Sequence, residues 1–307
     1  MRGRRRRASL GTMTRCQTGA YRRFLRGLGA AIVIVGCTVG ASSQQIRIRL
    51  ADRSAIEEHL QSFSTKNTER EALIRKWFAE SECKDPDLFE QTLKHKLPPN
   101  VICVLPGETQ EVIVVGAHTD HVDTSGAGVV DNWTGASLLP SLLYSLSGQA
   151  RRHTFVFVGF TAEEKGLVGS RYYAQHLTPE QRTRIEAMVN MDSLGLSPTK
   201  VWATHADKAL LDALASVAVA SGLPIAAVNV DGLGTADSES FARYRIPRIT
   251  LHSLTQETWP ILHSSRDQLT AVKMKDYYDS YHLIALYLAY LDDVLGKPAD
   301  KAVKSGK

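Results

Sequence analysis

Short apolar runs rich in Val, Ile and Phe recur at 101–105, 112–117, 154–160, 185–191, 200–203, 225–230 and 248–252. Each predicts a strand, and their near-continuous apolar character predicts burial on both faces. Between and after them, 135–146, 167–176, 208–221, 238–245 and 273–295 carry helical periodicity. Upstream, "ADRSAIEEHLQSF" and "TEREALIRKWFAES" read as two further helices. Strands alternating with helices predict an α/β fold, with a mixed or largely parallel sheet covered on both sides. No internal repeat is visible and no linker marks a second domain. The expected organisation is a leader over 1–43, a helical segment over 44–97 leading into the sheet, one α/β domain over 98–295, and a disordered tail over 296–307 with the polar sequence "GKPADKAVKSGK".

Charge enters next, because a formal balance of +5 raises the question of a nucleic-acid partner. Its distribution answers that question. Residues 1–43 hold nine Arg and no Asp or Glu; the remainder has 28 Lys and Arg against 32 Asp and Glu, a balance of −4. The basic character belongs to the leader and gives no support to nucleic-acid binding. "YRRFLRG" followed by apolar "LGAAIVIVG" and small-residue "ASSQQ" has the pattern of an export signal, with cleavage expected after Ser43. The apolar run falls short of the roughly 20 residues a spanning helix needs. Met13 begins a more ordinary leader than Met1. "IVGC" also resembles a bacterial lipobox, which would acylate Cys37 and tether the chain, and "RRFLR" is near a twin-arginine signal without matching it fully. The expected location is periplasmic or extracellular, with lipid anchoring at Cys37 as the variant. Cys83 and Cys103 remain beyond the leader. An oxidising compartment permits a disulfide between them. Two buried thiols are the alternative, although the polar surroundings "AESECKDPD" speak against burial of Cys83.

The chemistry lies just after the strands, where open α/β sheets gather their ligands. His118-Thr119-Asp120 follows "EVIVVGA", and Asp131 comes thirteen residues past His118 in "GAGVVDN". Glu163-Glu164 follows "HTFVFVGF", Asp192 follows "IEAMVN", and His263 lies in the loop beyond "PRITLHS". Each has an ordinary explanation alone: a satisfied polar His, a turn or cap Asp, a solvated Glu pair. Five segments delivering a carboxylate or an imidazole to one sheet edge ask for a joint explanation. Zn²⁺ takes N and O ligands and keeps a position open for water in catalytic sites. Two cations roughly 3.5–4 Å apart repel, so a shared carboxylate between them is expected. Asp131 is the natural bridge, with His118 and Asp192 on one ion and His263 and Glu164 on the other. Asp120 has the spacing to accept the second ring N–H of His118. Asp267 could serve His263 in the same way or act as a loop cap. Adjacent side chains of an extended segment diverge, so Glu163 is left to face the water. Zinc lowers the pKa of such a water from 15.7 to about 7. Glu163 then acts as general base and passes the proton to the leaving amine.

The motifs "GAHTDHV", "GVVDNWTGASLL", "VGFTAEEKGLVGS", "VNMDSLG" and "ILHSSRDQL" together resemble metallopeptidase family twenty-eight, the co-catalytic zinc aminopeptidases. The resemblance spans roughly 98–295. It implies a mixed eight-stranded sheet between helices. It also implies His118, Asp131, Glu164, Asp192 and His263 as ligands of two zinc ions, and Glu163 as general base. The residue before the last His is often Tyr in that family; here it is Leu262. Tyr244 is a candidate substitute, with packing near a helix as the alternative. Asp237, beside "SESF", either meets a substrate N-terminus or caps a helix.

An exported aminopeptidase acting on unblocked peptides is the reading that results. A glutaminyl-peptide cyclotransferase-like enzyme with one zinc is the main alternative, since "ETWPILHSS" resembles the loop before its zinc His; Asp131–Asn132 favours the aminopeptidase. A carboxypeptidase or dipeptidase of the same clan is another. A non-enzymatic ectodomain with a decayed site conflicts with the complete ligand set. Trp133 and Trp259 either line an apolar pocket near the site or pack at the core edge.

Overall fold

The computed structural model describes residues 32–37, 44–94, 97–122, 126–232 and 234–296. The strands are β1 (Ile32–Cys37), β2 (Gln44–Arg49), β3 (Leu88–Gln91), β4 (Asn100–Leu105), β5 (Val112–His118), β6 (Thr154–Phe160), β7 (Ile185–Met191), β8 (Lys200–Val201), β9 (Ala226–Ala227) and β10 (Arg248–His252). Eight of them form one mixed sheet in the order β3-β4-β6-β5-β7-β10-β8-β9. Its centre, β6-β5-β7-β10, is parallel throughout. β4 runs antiparallel to β6, and β8 antiparallel to β10.

The apolar runs behave as their composition predicts. Successive side chains of a strand point to opposite faces. Ile113 and Val115 of β5, with Phe155 and Phe157 of β6, enter one core cluster, covered by the helices Leu139–Leu146, Lys208–Ser221 and Met274–Val294. Val114, Val156, Val158 and Phe160 enter the other, where Tyr173 and Phe241 arrive from the helices Val168–His176 and Glu239–Ala242. A Cβ at Gly116 would stand 2.4 Å from the Phe160 ring, so the aromatic occupies the space a side chain would need there.

Several expectations change. β3 was not expected; its burial pattern suits a partly exposed sheet edge. The strands expected over 200–203 and 225–230 contract to two residues each. The helix expected over 135–146 is interrupted: a short helix Thr134–Ala136 ends in a turn at Ser137 and Leu138, and a new helix starts at Leu139 with Pro140 in its first turn. The helix expected over 238–245 shortens to Glu239–Ala242, followed by Arg245 at φ +58°. Of the expected leader, residues 1–31 and 38–43 lie outside the described residues. Ile32–Cys37 pairs antiparallel with β2 as backbone. The side chain of Cys37, expected as an anchor, and the tail over 297–307 also lie outside them. Among the described residues, no helix is long and apolar enough to cross a membrane.

Cys83 and Cys103 form a disulfide, and both are buried. The polar surroundings of Cys83 misjudged its burial because the turn after the helix Asn67–Glu80 folds back onto β4. The bond therefore ties the N-terminal helices to the sheet. Closing a loop of 20 residues removes enough unfolded-state entropy to contribute about 3 kcal/mol. Denaturant unfolding with and without reductant is expected to show a loss of about that size, and Cys83→Ser should reproduce it.

Candidate active site

His118 is the last residue of β5, and Asp192 directly follows β7. Glu163 and Glu164 follow β6, Asp131 lies in the turn between β5 and the helix Leu139–Leu146, and His263 lies in the loop after β10. All arrive at the carboxyl ends of the parallel strands. The parity of β5 puts His118 on the face of Val114 and Gly116, so it projects over the second core cluster.

The centre of the group is the Asp131 carboxylate. Its Oδ1 lies 3.2 Å from His118 Nε2 and its Oδ2 3.1 Å from His263 Nε2. Glu164 Oε2 is 3.0 Å from the same nitrogen of His263, and Asp192 Oδ1 is 3.7 Å from His118 Nε2. Donor atoms of His118, Asp131 and Glu164 all lie within 4.8 Å of one another. His118 Nδ1 stands 3.1 Å from the backbone carbonyl of Asp120. A carbonyl only accepts, so this contact puts a proton on Nδ1 and turns Nε2 toward the carboxylates.

The electrostatics follow from crowding. Burial pulls the His118 pKa down, but Asp120, Asp131 and Asp192 outweigh it and hold the imidazole well above its usual range. His263 is pushed up to about 10, chiefly by hydrogen bonds to Asp131 and Glu164. Burial works against ionised Asp131, yet the two imidazoles hold its carboxyl well below the usual range. Glu163 is pushed up to about 9 by burial, opposed by His118 and reinforced by Asp237, Asp192 and Asp131. Glu164 and Asp192 are also raised, burial being the main cause. Protons thus offset the carboxylates. A donor set of two imidazoles and clustered carboxylates that retains protons against its own burial is one in which a divalent cation can replace them.

The supporting contacts differ from expectation. Glu163 and Glu164 occupy a turn rather than an extended segment. The carboxylate of Asp120 accepts the backbone N–H groups of Glu163 at 2.9 Å and Glu164 at 3.3 Å. Its Oδ1 is 3.7 Å from His118 Nδ1, farther than its carbonyl. The carboxylate of Asp267 accepts from the N–H groups of Val130 and Asp131, which fixes the Asp131 backbone. Asn132 donates to the Met191 carbonyl and accepts from the N–H groups of Gly135 and Ser193, tying the Asp131 turn to the Asp192 loop. Ala162, Ser193 and His263 adopt φ of +52°, +61° and +54°, conformations that L-residues avoid. Such strain persists where surrounding contacts hold it, and it is common at functional sites.

A cavity of about 650 Å³ opens over the group. Glu163, Trp202, Leu254, Trp259 and Leu262 are among its walls. Trp133 is not: it is fully buried and donates its indole N–H to the carbonyls of His59 and Leu60. Tyr244 packs under the guanidinium of Arg182 rather than in the cavity. Asp237 is buried behind the wall formed by Thr235 and Ala236, and the helix beside it has Ser238 at its N-cap. His252, also in the wall, accepts the Leu254 N–H at Nδ1 and donates from Nε2 to the Val228 carbonyl.

Sequence reading missed one side of the site. The helix Asn67–Glu80 lays Asn67, Arg70 and Glu71 against the loops that follow β5 and β6. Asn67 Oδ1 accepts the His121 N–H, Arg70 donates to the Thr119, Ala127 and Gly128 carbonyls, and Glu71 accepts from Thr161 Oγ1. The signal was present in the periodicity. The buried stripe of Ile74, Trp77 and Phe78, continued backward one turn, lands on Arg70 and Glu71.

The leupeptin-inactivating enzyme 1 of Streptomyces exfoliatus is 30% identical over 151 residues, 48% of this chain and 34% of that protein. The chain thus spans about a third of that curated relative. Among solved structures, the LapA aminopeptidase of Legionella pneumophila superposes with a TM-score of 0.68 at 21% identity, covering 78% of this chain and 70% of that one. A glutaminyl cyclase from an Acidobacteriales bacterium superposes with a TM-score of 0.63 at 17% identity, covering 78% and 93%. At such identities these two likenesses speak for the fold. The model of Peptidase family M28 matches residues 100–288, well over half the chain, and these are the residues that carry every group at the mouth of the cavity; the chain belongs to that family.

Proposed function

We propose that the protein is an exported, zinc-dependent aminopeptidase that hydrolyses the first bond of unblocked peptides. One observation carries the reading: the two oxygens of Asp131 each face a different imidazole. A carboxylate so placed suits a shared ligand between two cations, and a one-metal cyclase has no need of it. His118 and Asp192 would hold one zinc ion, His263 and Glu164 the other, with Asp131 common to both. When bound, zinc supplies electrophilic activation of water and of the scissile carbonyl. Glu163 lines the same cavity, beside Glu164 whose carboxylate stands 3.0 Å from His263 Nε2. It accepts the proton of the attacking water and returns it to the departing amine. The Asp120 carboxylate holds the amides of both glutamates, so base and ligand keep their relative orientation. Leu262 offers no hydroxyl for the carbonyl oxygen, so that polarisation would be left to a bound metal. Export is supported by the basic and apolar leader and by the Cys83–Cys103 disulfide, which suits an oxidising compartment. Lipid attachment at Cys37 is the variant of the same reading.

The deciding experiment gives the zinc-loaded protein a mixture of unblocked peptides beginning with Gln, Leu or Ala and follows their masses with and without chelator. Chelator-sensitive loss of whole N-terminal residues is expected. Loss of ammonia from the Gln peptides alone would select the cyclase instead, and removal of C-terminal residues a carboxypeptidase. Glu163→Gln should lower kcat by about two to four orders of magnitude while zinc stoichiometry stays at the wild-type value.

Zinc binding should also release protons. His263, held near 10 in the metal-free protein, is protonated at neutral pH, and so is His118. Both must lose a proton to ligate, so zinc affinity should rise with pH between about 6 and 9. Calorimetric titrations in buffers of differing ionisation enthalpy measure the protons released; zero protons at pH 7 would contradict this account of the donor set.

A further inference from the structure

The N-terminal helix Asn67–Glu80 lies outside the segment that matches the family, yet its side chains bond to the loops that carry the site. Its central contact is Arg70, which is fully buried. Nε donates to the Ser64 carbonyl at 2.6 Å. Nη1 donates to the Thr119 carbonyl at 3.2 Å, and Nη2 to those of Ala127 at 2.6 Å and Gly128 at 2.9 Å. Among the described residues no carboxylate lies within ion-pair distance of it. Its charge therefore acts on the loop carbonyls directly and on the carboxylates of Asp267, Asp120, Asp131 and Glu164 at longer range.

Those carbonyls are not scattered. Thr119 follows His118, and Ala127 and Gly128 lead into the Asp131 turn. One guanidinium thus closes the loop between the residue that carries one imidazole and the turn that carries the central carboxylate. Asp267 in turn takes the N–H groups of Val130 and Asp131. The segment leading through the Asp131 turn is thus held by its carbonyls at Ala127 and Gly128 and by its amides at Val130 and Asp131. We propose that Arg70 is a positioning residue of the active site, fixing the His118 and Asp131 loops in the register that lets Asp131 face both imidazoles. The proposal rests on the metallopeptidase reading. A fork with separate nitrogens is required. A lysine keeps the charge but has a single nitrogen, which cannot reach the Thr119 carbonyl and the Ala127–Gly128 pair along the same two directions.

The test compares wild type with Arg70→Lys, Arg70→Met and, on the exposed side of the same helix, Lys76→Ala. Four readouts are taken: competition titration of the metal-free protein with zinc, the absorption spectrum of the cobalt-substituted protein, kcat and KM on a peptide substrate, and thermal unfolding by circular dichroism. Arg70→Lys should fold, bind zinc about 10–100-fold more weakly and give an altered cobalt spectrum, with the loss of turnover mainly in kcat. Arg70→Met should be at least as impaired, and Lys76→Ala should match wild type. Wild-type zinc affinity and cobalt spectrum in Arg70→Lys overturn the proposal. So does failure of both Arg70 variants to fold, which would make the residue a structural one. If Arg70→Met alone fails to fold, Arg70→Lys decides. If the wild-type protein cleaves no peptide, the peptidase reading falls, while zinc affinity and cobalt spectra still decide the place of Arg70.

Discussion

Mutual repulsion among carboxylates is the constraint around which the upper edge of this sheet is built. Asp131, Glu163, Glu164 and Asp192 share one cavity, and burial there disfavours their charged forms. Such a cluster can persist only if something else carries positive charge and if the backbone is not free to let the carboxylates drift apart. The two imidazoles supply charge, exposed His263 from the solvent side and buried His118 from the end of β5, with Asp131 spanning both. Arg70 supplies it from within the protein, through the backbone rather than by direct pairing.

The second requirement explains the density of side-chain to backbone hydrogen bonds at this edge. Asp120 takes two amides of the glutamate turn, Asp267 takes two of the Asp131 turn, and Asn132 joins that turn to the Asp192 loop. None of the three is among the proposed ligands. Each fixes loop backbone that the sheet's own ladders do not reach. Ser193, whose N–H Asn132 takes, and Ala162, next to the glutamate turn, are held in left-handed conformations in this way. The parallel strands end in register, the polar side chains extend that order by one loop, and the reactive groups stand on the result.

The helical segment ahead of the sheet belongs to this arrangement rather than serving as a mere leader to it. The helix Asn67–Glu80 packs Ile74, Trp77 and Phe78 into the core and turns Asn67, Arg70 and Glu71 toward the loops. The disulfide between Cys83 and Cys103 fixes the end of that helix to β4. Glu71 shows what this proximity costs: burial pushes its carboxyl up to about 8, opposed by the hydrogen bond from Thr161.

The chain's apolar runs were enough to locate the central strands, because β5, β6, β7 and β10 are buried on both faces and carry little polar interruption. The candidate site residues meet at one edge for a related reason: topology sends the residues after parallel strands there, so strand ends read in order give a candidate site. The sequence could not supply what depends on contact across the fold. It expected Asp120 to serve His118 through its carboxylate, which stands 3.7 Å from His118 Nδ1, but gave no sign that the same carboxylate also holds the glutamate turn from 43 positions away. It judged Cys83 exposed from its neighbours, whereas packing against β4 buries it. It left Trp133 as a candidate pocket wall, although the helix Arg53–Gln61 offers that indole its carbonyls. Local sequence carries propensity, periodicity and the order of strands. Which buried polar atom meets which partner is set by the long-range packing of loops and helices, and here that packing places Arg70 behind the site.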